Sequence, residues 1–496
     1  MKGDFSRSSF DPTKNFSSVL MQQGRVTLDA DFNEQGAIFL HALRTLTRDL
    51  FGPSGGPVDQ SGFELMLGPA GATSQLTLSI GAGHYYVDGI LCECGGIAYD
   101  KQDDYTPASG DLLSGWLKSP VAGKFYWLYL DVWERHISWA EDDSIRDVAL
   151  GGPDTCTRSQ VVWQVKALEF TSEPTCGGPL DGLPGLSAAA LAARLDPGAQ
   201  LPDPCALAPD AKYRGAENQL YRVEIHQGGT LAGGGQPNFK WSRDNGSVVV
   251  PWLDTDGTDL IVTRTRGFDA GVWVELSDDS NDLNGTPGQL VKLVKVQGDR
   301  LSFDPATTLR ARDDTRHPRV RRWDQVDSDA IALVGGAMPI IETPGGTGPD
   351  VDWTLRLEDG IEIVFSPGGT YRTGDYWLIP ARVATGTIEW PTTHVPGQAD
   401  VPAAQPPLGI QHHYAPLGVA SFSAGTKDGA KIDNCRRCLA PLGVVQCPTN
   451  KVPQAVVPPG VAVPATPLNT LTPAVALKPP ATHAARKTLA KTPKGR

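Results

Sequence analysis

Cys435 and Cys438 are separated by two residues, and Cys447 follows nine residues after Cys438. Thiolates at this spacing share a tetrahedral zinc ion, and a histidine can complete the set. The sequence therefore points to a structural zinc held by Cys435, Cys438, Cys447 and one of the neighbouring histidines His412 and His413, with His413 taken as the fourth ligand. The alternative is that these are thiols without a metal, buried or at the surface. Cys92-x-Cys94 is a weaker pair, read as pointing to opposite faces of a strand.

Two acidic runs invite a second metal reading. Asp254-Thr255-Asp256-Gly257-Thr258-Asp259 and Ser277-Asp278-Asp279-Ser280-Asn281-Asp282 offer many oxygens. A calcium loop of the EF-hand kind also needs a bidentate Glu at its twelfth position. That position holds Thr265 counted from Asp254 and Val291 counted from Ser280, so both runs read as acidic hairpin turns.

Carboxylates beside tryptophans suggest carbohydrate chemistry, in which two acids flank a sugar stacked on aromatic rings. Asp131, Glu134 and Glu141-Asp142-Asp143 lie near Trp133 and Trp139 in this way. A glycan is accordingly the alternative partner. No Gly-x-Ser-x-Gly elbow, phosphate-binding Lys-Ser/Thr loop or His-Glu-x-x-His pair occurs. His412-His413-Tyr414 reads as a hydrogen-bonded group at a strand edge rather than an acid–base pair. No catalytic or cofactor-binding residue is assigned, and the chain reads as a protein other than an enzyme.

The elements that carry these residues are mostly strands. Leu76–Ile80 alternates at period two, and His84–Leu91 reads as two short strands about an Asp88-Gly89 turn. Phe125–Trp139 is apolar on both faces, which places it between layers with Val161–Phe170 as a partner. Further strands are expected at Leu220–His226, Phe239–Ser242, Ser247–Trp252 beyond an Asn245-Gly246 turn, Leu260–Thr263, Val272–Leu276, Leu290–Val296, Trp353–Phe365 and Tyr376–Ile379. One helix stands apart. Asp31 with Glu34 resembles a capping box, Ile38, Ala42, Leu46 and Leu50 recur every four residues, Phe39 and Leu43 widen the stripe, and Gly52-Pro53 ends it. This stripe is expected to dock on the body of the same chain. A second, short helix is expected at Ser187–Leu195.

The resulting fold class is mainly β: several sandwich- or barrel-like units with one N-terminal amphipathic helix and a disordered C-terminal tail. Residues 1–55 form an arm and docking helix, 56–176 a β domain, 177–212 a Gly/Pro/Ala-rich linker or insertion, 213–450 the larger β region and 451–496 the tail. The 496 residues carry a net charge of −12. Seven basic and no acidic residues fall in 451–496, which leaves −19 on the rest. An acidic body argues against broad nucleic-acid binding, which requires many phosphate contacts. No apolar run reaches the length of about 18 residues that spans a bilayer. No secretion signal opens the sequence, so synthesis in the cytoplasm is expected.

Several stretches are similar to an uncharacterised domain family whose genes accompany phage-tail-like extracellular contractile injection systems. The resemblance lies in Lys2-Gly3-Asp4-Phe5-Ser6-Arg7, Phe10-Asp11-Pro12 and the run Met21–Gln35 with its Gly24-Arg25-Val26-x-Leu28-Asp29-Ala30-Asp31-x-Asn33-Glu34 core. It continues in Asn218–His226, Phe239–Ser247, Asp375–Arg382 and His412–Leu417. The resemblance implies a structural or interaction component of a contractile particle, at its baseplate, spike or periphery. It also implies other particle subunits or further copies of the chain as partners, and a place in the assembled particle, extracellular after release. A particle-associated cargo or toxin is the alternative. Gly177–Lys212 and the Pro-rich tail depart from the pattern and inherit nothing from it.

Overall fold

Phe125–Ile137 and Arg158–Phe170 pair antiparallel along their whole length, with Phe125 opposite Phe170 and Ile137 opposite Arg158. Both faces of the first strand are buried, as its two-sided apolar pattern requires. The computed structural model describes residues 1–68, 76–105, 111–150, 154–176, 183, 187–196, 212–232, 234–327, 331–343, 353, 355–394, 400–423 and 429–439. Strand accounts for 40% and helix for 14%, so the chain is mainly β. Met1–Pro441 clusters as one unit. The expected disordered tail, 451–496, lies outside the described residues.

Three β lobes are nested in the chain. The outer lobe joins the long strand pair to His413–Phe422 and Ala430–Asn434, and covers it with a sheet of Ser54–Pro57, Gly83–Val87, Ile90–Cys94 and Cys438–Leu439 and a smaller three-stranded sheet. Helix α2 (Leu112–Lys118) buries Leu113 and Trp116 in the same core. Inside it in sequence, Gln219–Gln227 lies between Asn238–Ser242 and Tyr376–Arg382, and faces a sheet built on Ile361–Phe365. Innermost, Val249–Asp256, Asp259–Val262, Trp273–Ser277, Gln289–Gln297, Arg300–Phe303 and Arg319–Trp323 close into a six-stranded barrel. Closure leaves no unpaired strand edge exposed.

The turns expected at Asp88-Gly89 and Asn245-Gly246 form, and all four residues have positive φ. At Asp88-Gly89, which joins the paired strands Gly83–Val87 and Ile90–Cys94, that geometry matches the right-handed twist of the hairpin. Two expectations need correction. Leu191–Leu195 is a strand paired with Ile361–Phe365 and not a helix, because its buried Leu and Ala side chains serve the second core whatever their local preference. Ser277–Asp282 is not a hairpin turn: Asp278 caps a short helix, α3 (Asp279–Asn284), by accepting the Ser280 and Asn281 amides. The Asp254–Asp259 run does form a hairpin, with Asp256 opposite Asp259.

Helix α1 (Asp29–Phe51) starts three residues earlier than the sequence suggests. Leu28 is its N-cap, and Asp31, in the third helical position, accepts the Leu28 amide at 3.3 Å. The N-terminal arm lies along the helix: the Ser6 amide donates to Asp29, Ser9 to Glu34 and the Val19 amide to Gln35, while Phe10 packs on His41. Arg44 donates to Glu134 at 2.9 Å and anchors the other side to the long strand pair.

Candidate functional site

These contacts hold α1 through polar side chains and leave its apolar face open. Its buried residues are Ala30, Ile38 and Thr47. Phe32, Phe39, Leu43, Leu46 and Leu50 are between 57% and 68% exposed. With Gly36 they recur at spacings of four and three, the pattern by which one helix meets another. At about 1.5 Å per residue the stripe is about 27 Å long, and none of its six residues is charged. Phe16, Leu20, Met21 and Val26 of the arm are also exposed. The expectation that the stripe docks on the chain's own body is therefore corrected: only Ile38 of that set is buried.

A second feature lies among the lobes. A cavity of about 250 Å³ is lined by Trp133–His136 of the long strand, Arg222, Glu224 and Lys240 of the second lobe, and Glu275, Asp282, Arg319 and Arg321 from the barrel side. Lys2 of the arm also lines it. The Asn245 side-chain amide donates to the carbonyls of Met1 and Gly3, so the Asn245-Gly246 turn fixes where Lys2 enters. Lys2 then reaches Glu224 at 3.2 Å.

Most of the charges around this cavity are paired, and several are fully buried. Glu224 also accepts from Arg222 at 2.6 Å and lies 3.3 Å from Lys240, which reaches Glu275 at 2.5 Å. Burial alone would raise the Glu224 carboxyl, but Lys2, Arg222 and Lys240 outweigh it and hold the pKa at about 2. Trp323 donates its indole N–H to Glu275 while Lys240 sits over its ring. α3 supplies Asp279 and Asp282, which between them grip Arg135 and Arg319, and Arg319 also reaches Glu141 at 3.2 Å. Asp282 is held far below the ordinary carboxylate range, since Arg319 and Arg135 outweigh its burial.

The residues singled out for chemistry are placed differently from expectation. Cys435 is in a disulfide with Cys176, their Cα atoms 5.0 Å apart. A disulfide sulfur is not a thiolate ligand, and cysteines read as thiols or metal ligands include this covalent pair. Cys438 is exposed and free on a strand running parallel to Ser54–Pro57, and Cys447 lies outside the described residues. His413 Nδ1 is 2.9 Å from Asp88. Among the described residues no group of three His, Cys, Asp or Glu side chains is arranged to hold a metal ion. Cys92 and Cys94 share one buried face, because a spacing of two returns to the same side of a strand.

The carboxylate–tryptophan set is likewise committed within the fold. Trp133 and Trp139 are buried. Asp131 accepts from Lys166 at 2.7 Å and lies 2.6 Å from His412 Nδ1. Burial alone would raise Asp131, but His412 and Lys166 hold it below its usual range. Glu134 is taken by Arg44 and Ser159, and Glu141 accepts the Ser138 amide and hydroxyl.

The profile of a family of unknown function, DUF6519, matches residues 1–174 and 182–496. The chain belongs to this family. The DUF6519 match runs through the Pro-rich tail and through all but residues 177–181 of the Gly/Pro/Ala-rich insertion. No curated protein and no solved structure matches the chain. No helix of this DUF6519 protein, among the described residues, is long and apolar enough to cross a membrane.

Sequence reasoning did not find Arg321, His136 or Lys240. The signal was present in Tyr221-Arg222-Val223-Glu224-Ile225-His226, where charged and apolar residues alternate. Alternation of this kind normally marks one wet face. Here every residue from Leu220 to His226 is buried, because the charged face is covered too.

Proposed function

We propose that this chain is a structural or interaction component of a contractile, phage-tail-like injection particle, joined to a neighbouring subunit through the apolar face of α1. One observation carries the proposal: a 23-residue helix, fixed by its polar faces, that turns Phe32, Phe39, Leu43, Leu46 and Leu50 outward. Five large apolar side chains in one stripe are costly to leave in water, and contiguous exposed patches mark interaction sites. The uncharged stripe with its four–three spacing suits an apolar helix or groove of the neighbour as its occupant.

The particle context rests on the resemblance of Lys2–Arg7, Met21–Gln35 and the later motifs to the injection-system-associated family. The Lys2-Gly3-Asp4 and Gly24–Glu34 motifs have a part in this reading: the first seats the arm in the cavity, and the second forms the start of α1. Co-sedimentation with intact sheathed particles is the test. The protein should travel with them through a density gradient, and recovery only as a free monomer from particle-bearing lysate would overturn the proposal.

A further inference from the structure

Six of the seven lysine and arginine side chains that line the cavity have a carboxylate within reach: Lys2, Arg44, Arg135, Arg222, Lys240 and Arg319. Arg321 does not. It is 4% exposed, its guanidinium donates to the Gly246 carbonyl, and among the described residues no carboxylate lies within 4.0 Å of it. Glu141, Asp282 and Glu224 act on it only from beyond contact distance and do not outweigh its burial, and a guanidinium has more donors than one carbonyl can satisfy. His136 lines the same cavity, and its Nε2 is buried with no hydrogen-bond partner. The five carboxylates on the lining, Glu134, Glu141, Glu224, Glu275 and Asp282, are each held by at least one cation. What the cavity lacks, among the described residues, is a negatively charged acceptor in contact with Arg321.

We propose that this cavity binds a phosphate-type oxyanion, with Arg321 as its counter-ion and His136 Nε2 as a second donor. The planar fork of a guanidinium matches two oxygens of such an ion, and a charge-assisted pair in a dry site is stronger than one in water. Burial, followed by the nearby Arg321 and Lys2 charges, keeps the pKa of His136 well below the usual histidine range. A neutral imidazole still donates from Nε2 in one tautomer. Binding here is independent of whether α1 docks on a neighbour, since the two features share no apolar stripe residue.

The test is titration calorimetry of the full chain with inorganic phosphate, against chloride at matched ionic strength. The wild type should show saturable one-site binding to phosphate and none to chloride. Arg321→Lys keeps the charge but loses the fork, and His136→Phe keeps the ring and loses the donor. Each should weaken binding about tenfold or more, the loss expected for one charge-assisted contact. Circular dichroism of each variant shows whether it has folded, and if Arg321→Lys fails to fold, His136→Phe alone decides. No phosphate binding by the wild type would overturn the proposal. So would equal binding by the folded variants, which would mean an adventitious ion only.

Discussion

Gly89 sits directly against the backbone of Arg44: a Cβ added there would come within 2.3 Å of the Arg44 carbonyl oxygen and 2.7 Å of its Cα. Gly89 also has φ +83°, a conformation that other residues adopt at a cost. The Asp88-Gly89 turn is thus the seat of α1, and Asp88 adds contacts with Arg48 and His413. Because the helix is held from this side, its Phe39–Leu50 stripe faces away.

Gly89→Ala should therefore displace the helix. The expected cost is about 1–3 kcal/mol, from backbone strain together with lost contact. Hydrogen exchange should show faster exchange for α1 amides while the long strand pair stays protected. Unchanged α1 protection would contradict this seating.

Glu224→Gln should be severely destabilising, by about 3–5 kcal/mol, because it leaves Lys2, Arg222 and Lys240 buried around a neutral group. Denaturant unfolding at neutral pH measures it. A change below about 1 kcal/mol would mean that the three cations do not depend on this carboxylate.

The same carboxylate predicts an acid limb. Its folded pKa of about 2 lies below the ordinary 4.5, so the unfolded chain takes up the proton more readily. Its contribution, about 3 kcal/mol, is complete above pH 4.5 and drains as the pH falls toward 2. Unfolding followed from pH 6 to pH 2 should show that loss in the wild type. The slope should be shallower in Glu224→Gln, and equal slopes would sink the assignment.

The Cys176–Cys435 disulfide closes a loop with a sequence separation of 259 and ties the segment after Arg158–Phe170 to the returning C-terminal strands. Replacing both cysteines by serine should cost about 2–5 kcal/mol. Thermal unfolding with and without reductant checks it: the wild type should lose stability on reduction and the double variant should not respond. Equal melting in all four samples would contradict it.

Much of the architecture was legible because it rests on local chemistry. The Asn245-Gly246 and Asp88-Gly89 turns, the two-sided apolar Phe125–Ile137 strand and the Gly52 helix stop all follow from residue type and spacing. The buried charges were not. Arg222 and Glu224 are two apart on a strand, which on one sequence looks like a solvated face; Lys240 lies opposite Glu224 on the paired neighbouring strand, and only the return of the barrel places Glu275 and Arg321 against them. Cys435 found Cys176 and not Cys438, a pairing set by the return of the last strands to the outer lobe. The stripe on α1 was read correctly as apolar, yet periodicity says nothing about which body covers it.

Replacing Leu43 and Leu46 together by Asp tests the central claim most directly, because both side chains are exposed and α1's anchors, Arg44 and Thr47, remain. The free protein should keep its fold and melt within about 0.5 kcal/mol of wild type. In a gradient of sheathed particles, wild type should sediment with the particles and the double variant should stay at the top. If the double variant remains fully particle-bound, α1 is not the docking face and the account fails.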